Sequence, residues 1–273
     1  MTAARVFLTG ATGFLGRYLH AALTAAGAVV VAPGRAACNL LDPRSLDGAL
    51  ARAGTPFLVH AAALAVLDAC ERDPAQAEQA NVRASVALCG QARRWLLVST
   101  DLVFGGDQAP YDEAAPPAPL SVYGRTKVDA ERAVLERGGG VVARVPLLFG
   151  QSPTGDRGAT DMVRAAVRSG QPARLFVDEF RTPLHAVHAA RVLVALLLDE
   201  ACVGVAHVPG PERIDRFALG QRFVRCVGLP AGCVVPASRR GFAGARLRPA
   251  DVSLRSRRVL PAVPALDAML AEA

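Results

Sequence analysis

The stretch Arg-Val-Phe-Leu-Thr-Gly-Ala-Thr-Gly-Phe-Leu-Gly, residues 5–16, decides the fold of this chain. An apolar run typical of a buried strand leads into three glycines, and an amphipathic helical pattern follows at once. Gly10 suits a tight turn, Gly13 lets backbone N–H groups approach a pyrophosphate, and Gly16 lets helix and strand pack closely. Because a helix N-terminus also attracts phosphate, the unit predicts a dinucleotide-binding site. Its expected contacts are Gly10, Thr12, Gly13, Phe14, Leu15 and Gly16.

The first 150 residues continue this alternation of strand and helix. Near-continuous Val, Leu and Ala runs joined by helical patterns predict a parallel sheet covered on both faces. The predicted fold is α/β, a doubly wound parallel sheet (Rossmann fold) with a small interleaved C-terminal substrate-binding region. The predicted strands are 5–9, 28–32, 57–60, 95–99 and 141–145, and the predicted helices are 14–26, 45–53, 74–93 and 123–136.

The rhythm of the sequence changes after Gly150, where a polar loop rich in Gly, Pro and Thr begins. We therefore expect two regions that are partly interleaved. The dinucleotide-binding domain is predicted at 1–150 and completed by about 181–208, and the substrate-binding region at 151–180 and 209–273.

Composition is typical of a globular protein, with 52% hydrophobic and 20% charged residues in a chain of 273. No apolar run reaches the roughly 18 uncharged residues of a membrane span, and the first residues lack the pattern of a signal peptide. We expect a cytoplasmic protein without a membrane partner. The six cysteines show neither CxxC spacing nor paired histidines, so we expect free thiols and no metal site.

The net charge of +7 comes with a concentration of arginines in the last third of the chain. Such a segment attracts a diphosphate or a nucleic acid, or forms a solvated surface. Nucleic-acid binding usually adds aromatic stacking positions, and only Phe242 lies near, so we expect no nucleic-acid partner. The arginines concerned are Arg239, Arg240, Arg246, Arg248, Arg255, Arg257 and Arg258.

The end of the second predicted strand indicates which dinucleotide binds. An NAD-selective site usually has an acidic residue about 20 residues past the glycine loop, where it holds the ribose 2′-hydroxyl. This chain has Arg35 in that place and no acidic residue before Asp42. Because an arginine suits a 2′-phosphate, we expect NADPH, with NADH kept as an alternative.

Tyr123 and Lys127, in the segment Tyr-Gly-Arg-Thr-Lys, place a phenol and an ammonium one helical turn apart on one face. A nearby cation lowers the pKa of a phenol from its ordinary value of about 10, so we expect Lys127, helped by the positive charge of the oxidised nicotinamide, to lower the pKa of Tyr123. Tyr123 could then protonate a carbonyl oxygen while the nicotinamide delivers hydride. An apolar strand upstream ends in Ser99 and Thr100, and one of these hydroxyls is expected to hold the substrate oxygen.

With these elements in chain order, the sequence resembles the extended short-chain dehydrogenase/reductases, and within them the dTDP-4-dehydrorhamnose reductase (RmlD-like) group. The resemblance implies an NAD(P)H-dependent reductase of a keto sugar nucleotide or a related carbonyl compound, commonly a homodimer. The matching segments are GATGFLG at 10–16, HAAA at 60–63, STDLVF at 99–104, PYDE at 110–113, PLSVYGRTK at 119–127 and RTP at 181–183.

The resemblance also implies roles for individual residues. Thr100, Tyr123 and Lys127 would form the catalytic triad, with Tyr123 and Lys127 also contacting the cofactor. The remaining cofactor contacts would be Asn39 and Leu40 beside adenine, and Ala61, Ala62 and Ala63 along the inner ribose. The substrate contacts would be Ser99, Leu102, Leu147, Arg181 and Arg248.

Two aliphatic residues depart from the pattern of that group and leave the substrate open. Leu102 stands where those reductases usually have tyrosine, and Leu147 stands where they usually have an aromatic residue.

Two other functions remain open on the sequence. One is an epimerase or dehydratase of a nucleotide sugar with tightly held NAD, although the chain lacks an acid after the second strand. The other is a non-catalytic, NADP-binding regulatory subunit like the methionine adenosyltransferase β subunit, which the run RVPLLFG at 144–150 resembles.

Overall fold

The structure, a computed structural model, describes residues 3–242 and 244–273. Its strands are β1 (Arg5–Thr9), β2 (Val29–Val31), β3 (Phe57–His60), β4 (Arg94–Thr100), β5 (Gly140–Val145), β6 (Leu148–Phe149), β7 (Ala173–Phe176), β8 (Phe180–Arg181), β9 (Leu184–His185), β10 (Gly204–His207), β11 (Ile214–Asp215) and β12 (Val234–Ala237). Its α-helices are α1 (Phe14–Ala25), α2 (Pro43–Leu46), α3 (Ala49–Ala53), α4 (Leu67–Arg72), α5 (Pro74–Glu78), α6 (Ala84–Cys89), α7 (Val122–Leu135), α8 (Asp161–Ser169), α9 (Ala186–Leu198), α10 (Arg216–Val227) and α11 (Leu266–Ala271).

Six parallel strands form the central sheet in the order β2-β1-β3-β4-β5-β10. The predicted doubly wound parallel sheet is therefore confirmed. The chain places β2 on one side of β1 and β3 on the other, so the loops that follow β1 and β3 diverge. A crevice opens at such a switch point, at the carboxyl ends of the strands.

Each face of the sheet has its own apolar core, because successive strand residues point to opposite sides. Leu96 faces the cluster that includes residues of α1 and α9. Leu97 faces the cluster that includes residues of α6 and α7. Both faces are covered, which explains why β4 is apolar at consecutive positions rather than alternating ones.

Two predicted helices are interrupted. The segment 45–53 lies in the separate helices α2 and α3, and Gly48 precedes α3 with a φ of 60°. The helix predicted at 74–93 ends at Cys89 and contains a π turn at Gln79–Arg83, between α5 and α6. Helices α4 and α11 were not predicted, because six residues are too short to show a helical period.

The chain after Gly150 contributes to both the central sheet and three two-stranded sheets. Strand β10 pairs with β5 at the sheet edge. The small sheets pair β6 with β9, β7 with β12, and β8 with β11. The division into a dinucleotide-binding and a substrate-binding region stays a prediction, and its ranges include residues 1, 2 and 243, which lie outside the described residues.

The segment PYDE at 110–113 forms hydrogen bonds with the C-terminal part of the chain. The N–H of Tyr111 donates to the carbonyl oxygen of Ser253 at 2.8 Å. The hydroxyl of Ser256 donates to Glu113 at 2.8 Å. The arginine-rich segment takes part as well, since the Nε of Arg258 donates to a carbonyl oxygen of β10 at 2.9 Å.

Within the described part of the chain, no helix is long and apolar enough to cross a membrane. Among the same residues, no group of three or more His, Cys, Asp or Glu side chains could hold a metal ion. All six cysteines are free, and only Cys226 is exposed.

Gly140 generates a stability prediction, because a Cβ at this position would lie 2.1 Å from the Trp95 ring. Gly140→Ala should lower the free energy of unfolding by about 1–3 kcal/mol through overpacking. Gly232→Ala is the control, since a Cβ there meets nothing within 4 Å. Urea denaturation followed by circular dichroism measures both, and equal effects would contradict the packing argument.

Candidate active site

The glycine loop, residues 10–16, has a backbone conformation and close backbone contacts that only glycine permits; we call it the glycine cradle. Gly10 has a φ of 73°, and a Cβ at Gly16 would lie 1.8 Å from the Gly10 carbonyl oxygen. Gly13 is the N-cap of α1, where no side chain accepts from the helix N–H groups and the first turn holds no acidic residue. Those N–H groups and the positive end of the helix dipole therefore face the crevice without a side-chain partner, as an anion site requires.

Thr9 and His60 tie the ends of β1 and β3 together. The Thr9 hydroxyl accepts the N–H groups of Ala61 and Ala62 at 3.2 Å each and lies 2.7 Å from His60 Nδ1. Since both N–H groups donate to it, the hydroxyl gives its own proton to Nδ1, and Nε2 donates to Ser85 at 3.1 Å. Burial lowers the pKa of His60 to about 3, with the Lys127 cation acting in the same direction, so the ring is neutral. The loop predicted to follow the ribose is thus fixed beside Gly10.

Asn81 connects this loop to α7. Its Oδ1 accepts the Leu64 N–H at 2.8 Å, and its Nδ2 donates to the Leu64 carbonyl oxygen and to the Thr126 hydroxyl at 3.0 Å each. The residue lies in the π turn, a conformation that frequently marks functional sites. Sequence reasoning missed Asn81, because neither periodicity nor a local motif predicts a π turn.

The residues predicted to lie near adenine and the 2′ position follow β2. Arg35 is exposed in a turn after β2. Asn39 Oδ1 accepts the Leu41 N–H at 3.1 Å, and the carbonyl oxygen of the half-buried Leu40 accepts from Gln79 at 3.4 Å. Asp42, the nearest acidic residue, is the N-cap of α2.

Tyr123 and Lys127 lie one turn apart on α7, with Lys127 only 2% exposed. Burial lowers the pKa of Lys127 to about 8, and the Glu131 carboxylate acts against this. Burial raises the pKa of Tyr123, the Asp101 carboxylate raises it further, and the Thr100 hydroxyl acts in the opposite direction. In the protein alone the net shift of the Tyr123 pKa is therefore upward, opposite to the direction expected from Lys127 together with the oxidised nicotinamide. The physical reason is that burial and a facing carboxylate both favour the neutral phenol.

Thr100, the last residue of β4, lies beside this helix face and is joined to the next residue. Its hydroxyl donates to Asp101 Oδ1 at 3.1 Å and accepts the Leu102 N–H at 3.2 Å. Burial raises the pKa of Asp101 to about 6, and the Arg181 guanidinium opposes this rise. The three predicted triad residues thus lie at the end of β4 and the start of α7.

Ser99 is not brought together with them. Its hydroxyl donates to Glu131 on α7, and the residue is 2% exposed. Because strand residues alternate, Ser99 and Thr100 point to opposite faces of the sheet. The structure therefore does not support the predicted contact between Ser99 and a substrate.

Glu131 is also one partner of a buried ion pair. Arg144 Nη2 lies 2.6 Å from Glu131 Oε2, and its Nε donates to both carboxylate oxygens at 3.1 and 3.2 Å. The two side chains are 4% and 5% exposed. Glu131 follows Lys127 by four residues, so the helical spacing could have indicated it, but only the fold shows that Arg144 faces it.

The other predicted substrate residues lie in different environments. Leu102 and Leu147 are half-buried, and Arg181 is buried. Arg181 Nε lies 3.6 Å from Asp101 Oδ2, and its Nη2 lies 3.4 Å from Glu179 Oε1. Glu179 is another residue that sequence reasoning missed, because its partners are distant in the chain.

Arg248 lines a cavity of about 460 Å³, together with Met162, Arg174, Phe176, Arg216 and Phe242. The Arg248 guanidinium lies 5.7 Å from the centres of both phenyl rings. Arg216 and Arg248 each contact Glu179, at 3.5 and 3.4 Å. Glu179 therefore connects the cavity to Arg181 and Asp101.

Comparison with known proteins gives the following relationships. The family model described as the RmlD substrate binding domain matches residues 4–264. Methionine adenosyltransferase 2 subunit beta of Pongo abelii is 32% identical over 267 residues, covering 92% of this chain and 80% of that protein. A protein of Streptomyces antibioticus named probable dTDP-4,6-dihydroxy-2-methyloxan-3-one 4-ketoreductase is 32% identical over 253 residues, covering 90% of this chain and 85% of its own.

Among solved structures, dTDP-4-dehydrorhamnose reductase from Bacillus anthracis in complex with NADP superposes with a TM-score of 0.90. The match covers 98% of each chain at 21% sequence identity, and the superposition shows that the two proteins share a fold.

Glu131→Ala should lower the free energy of unfolding by about 3–5 kcal/mol, because Arg144 would remain buried without its counter-ion. Glu78→Ala is the control, since the Glu78–Arg83 pair is exposed and should contribute about 0–1 kcal/mol. Urea denaturation followed by the fluorescence of the single tryptophan, Trp95, measures both. The double variant Glu131→Leu, Arg144→Met should regain most of the loss. A double variant as unstable as Glu131→Ala would show that the charge is not the cause.

Proposed function

We propose, because this chain belongs to the RmlD substrate binding domain family, that it is an NADPH-dependent reductase of a keto group on a nucleotide-linked sugar or a related carbonyl compound. The observation that supports the proposal most is that Thr100, at the end of β4, lies beside Tyr123 on α7, with Lys127 one turn further along the same helix. The same proposal includes the predicted division into a dinucleotide-binding and a substrate-binding region, a cytoplasmic location and a homodimer.

The glycine cradle fits a dinucleotide. The uncapped start of α1 offers N–H donors to a pyrophosphate, and a Cβ at Gly10 would press against Ala62 N at 2.9 Å. Arg35 is exposed where a 2′-phosphate would need a cation, whereas Asp42 is engaged as a helix cap. The Bacillus anthracis reductase, which shares the fold, was solved with NADP. NADPH, when bound, supplies hydride to the carbonyl carbon.

Tyr123 would supply the proton. The phenol is protonated at neutral pH, which is the form that a general acid needs, although burial raises its pKa and makes it a weaker acid than free tyrosine. Lys127 holds a buried positive charge one turn away, which stabilises the phenolate left after proton transfer. Thr100 would hold the same oxygen from the end of β4.

The cavity supports an anionic, partly aromatic substrate. Arg174, Arg216 and Arg248 line it, and the rings of Phe176 and Phe242 lie 5.5 Å apart. Guanidinium groups recognise phosphate, and aromatic rings stack on a base. The Streptomyces antibioticus relative bears the name of a dTDP-sugar ketoreductase, which agrees with such a substrate. Leu102 and Leu147 would shape the sugar pocket.

A second candidate function is a regulatory subunit that binds NADP and a partner enzyme. It is favoured by the 32% identity to methionine adenosyltransferase 2 subunit beta. Cofactor binding without turnover of any carbonyl compound would favour this function. NAD that remains tightly bound through purification would favour an epimerase or dehydratase.

Tyr123→Phe tests the reductase. With NADPH and a panel of 4-keto nucleotide sugars, the variant should lose about 100- to 10,000-fold in kcat, since the proton donor is removed. Its affinity for NADPH, measured by fluorescence titration, should stay within about twofold. Tyr18→Phe is the control, because the Tyr18 phenol donates to the Gln151 carbonyl oxygen, outside the proposed triad. Turnover by the Tyr123→Phe variant at the parent rate would contradict the proposal.

Arg35→Ser tests the choice of cofactor. Loss of the guanidinium should weaken NADPH binding about tenfold or more and leave NADH binding nearly unchanged, because only NADPH carries the 2′-phosphate. Arg168→Ser removes the same charge from an exposed position on α8 and should change neither affinity. If the Arg35 variant weakened both cofactors equally, Arg35 would not be the phosphate contact.

A further inference from the structure

Two leucines lie at the carboxyl edge of the central sheet, close to the place where a keto oxygen would be held. Thr100, the last residue of β4, pairs in register with Val145, the last residue of β5. Leu102 and Leu147 each follow this pair by two residues. Because the carboxyl ends of neighbouring parallel strands meet at one edge of a sheet, both leucines belong to the surroundings of the Thr100 hydroxyl.

Leu102 lies between Thr100 and the first turn of α7. Its N–H donates to the Thr100 hydroxyl at 3.2 Å. Its carbonyl oxygen leaves no room for a Cβ at Gly124, the residue after Tyr123, so the two backbones are in contact. The Leu102 side chain is half-buried and is not among those that pack on the apolar cluster of Val103. It is therefore available to a ligand in the crevice.

Leu147 adds a second apolar side chain from the neighbouring strand. It packs on one side against the larger apolar cluster and stays half-buried. Its carbonyl oxygen accepts the Leu184 N–H at 3.1 Å, which fixes its backbone beside β9. A leucine side chain has no hydrogen-bonding group, so a ligand hydroxyl placed against it loses water without gaining a partner.

The two polar residues that were expected to contact the substrate in this region are engaged by the protein. Arg181 is 5% exposed, and its guanidinium contacts Glu179 at 3.4 Å and Asp101 at 3.6 Å. Ser99 is 2% exposed and donates to Glu131. The protein thus encloses the groups that could bind sugar hydroxyls, whereas the two leucines stay open to the crevice.

We propose that this site selects a keto sugar that is deoxygenated beside its carbonyl, with hydrogen or an alkyl group where a hexose carries a hydroxyl. Leu102 and Leu147 are the residues that determine this specificity. The inference rests on the proposed reduction, in which a hydride and a proton convert the keto group to an alcohol and NADPH is oxidised to NADP⁺. Thr100 and Tyr123 hold the keto oxygen, and the leucines meet the carbons next to it.

The size of the preference follows from what an apolar wall can do. An apolar pocket rejects a ligand with one added hydroxyl by on the order of 100-fold. Leu102 and Leu147 are only half-buried, so a hydroxyl beside them keeps part of its water. We therefore expect a preference of about 10- to 100-fold in kcat/KM.

The test compares two dTDP-linked 4-keto sugars, a 6-deoxyhexose and its 3-deoxy counterpart, which differ by one hydroxyl beside the keto group. With NADPH, the parent protein should reduce the 3-deoxy sugar with a kcat/KM about 10- to 100-fold higher. Leu102→Asn and Leu147→Asn offer the hydroxyl an amide partner and should each lower this ratio about tenfold. Leu102→Met keeps the surface apolar and should keep the ratio.

Leu198→Asn is the matched control. Leu198 is 43% exposed and ends α9 at the opposite edge of the sheet, where Arg94 at the start of β4 donates to the Leu197 carbonyl oxygen at 3.1 Å. The ratio of this variant should stay within about twofold of the parent value. Thermal midpoints check the fold of each variant.

Binding measurements judge the inference without turnover. In calorimetric titrations of the NADP⁺-loaded protein with the two alcohol products, the 3-deoxy product should bind about tenfold or more tightly. Leu102→Asn should remove most of this difference. A protein that reduces neither sugar would overturn the proposed function, while product binding would still decide the specificity of the site.

Equal kcat/KM values for the two sugars in the parent protein would overturn the inference. Where neither sugar is reduced, equal product affinities, or no binding of either product, would do the same. A preference that survives unchanged in both asparagine variants would also contradict it, since the leucines would then not be its source.

Discussion

The position of the whole site depends on a close contact between two backbone segments, the turn after β1 at Gly10 and the first turn of α1 at Gly16. A helix can start directly after a buried strand only where no side chain separates the two, and Gly16 meets this condition against the Gly10 carbonyl oxygen. The contact sets the position of the α1 N-terminus and opens its N–H groups to the crevice. Gly10 in turn lies against Ala62, so the loop after β3 takes its place from the same constraint.

Neutral and charged buried groups are then arranged around that crevice so that each has a defined protonation state. His60 is neutral, because burial opposes its charge and Thr9 and Ser85 satisfy both ring nitrogens. Lys127 keeps its charge near Glu131, which is held by Arg144. A low-dielectric interior makes such arrangements strong when complete and costly when one member is lost. The charges of Lys127, Glu131 and Arg144 therefore depend on one another.

Glu179 connects the cavity to Asp101, which follows β4, through Arg181. It meets Arg216 and Arg248 at the cavity and Arg181 beside Asp101. Three guanidinium groups thus surround two carboxylates, and the excess positive charge favours an anion in the cavity. The relatives of this chain include a protein named as a probable ketoreductase and a protein named as a subunit of methionine adenosyltransferase 2. Since a fold supports several functions, the chemistry of these side chains is what separates them.

Local pattern sufficed for the parallel sheet, the glycine loop and the spacing of Tyr123 and Lys127, because each depends on residues close together in the chain. Strands β1 and β3 agree with prediction to the residue for that reason. The short strands and the π turn with Asn81 carry no such pattern. The direction of the Tyr123 pKa, the partner of Ser99 and the enclosure of Arg181 could not be derived, because they depend on burial and on charges that come together only when distant segments pack. Periodicity encodes which surface of a segment is buried, whereas the electrostatics of a buried group are set by whatever the fold places against it.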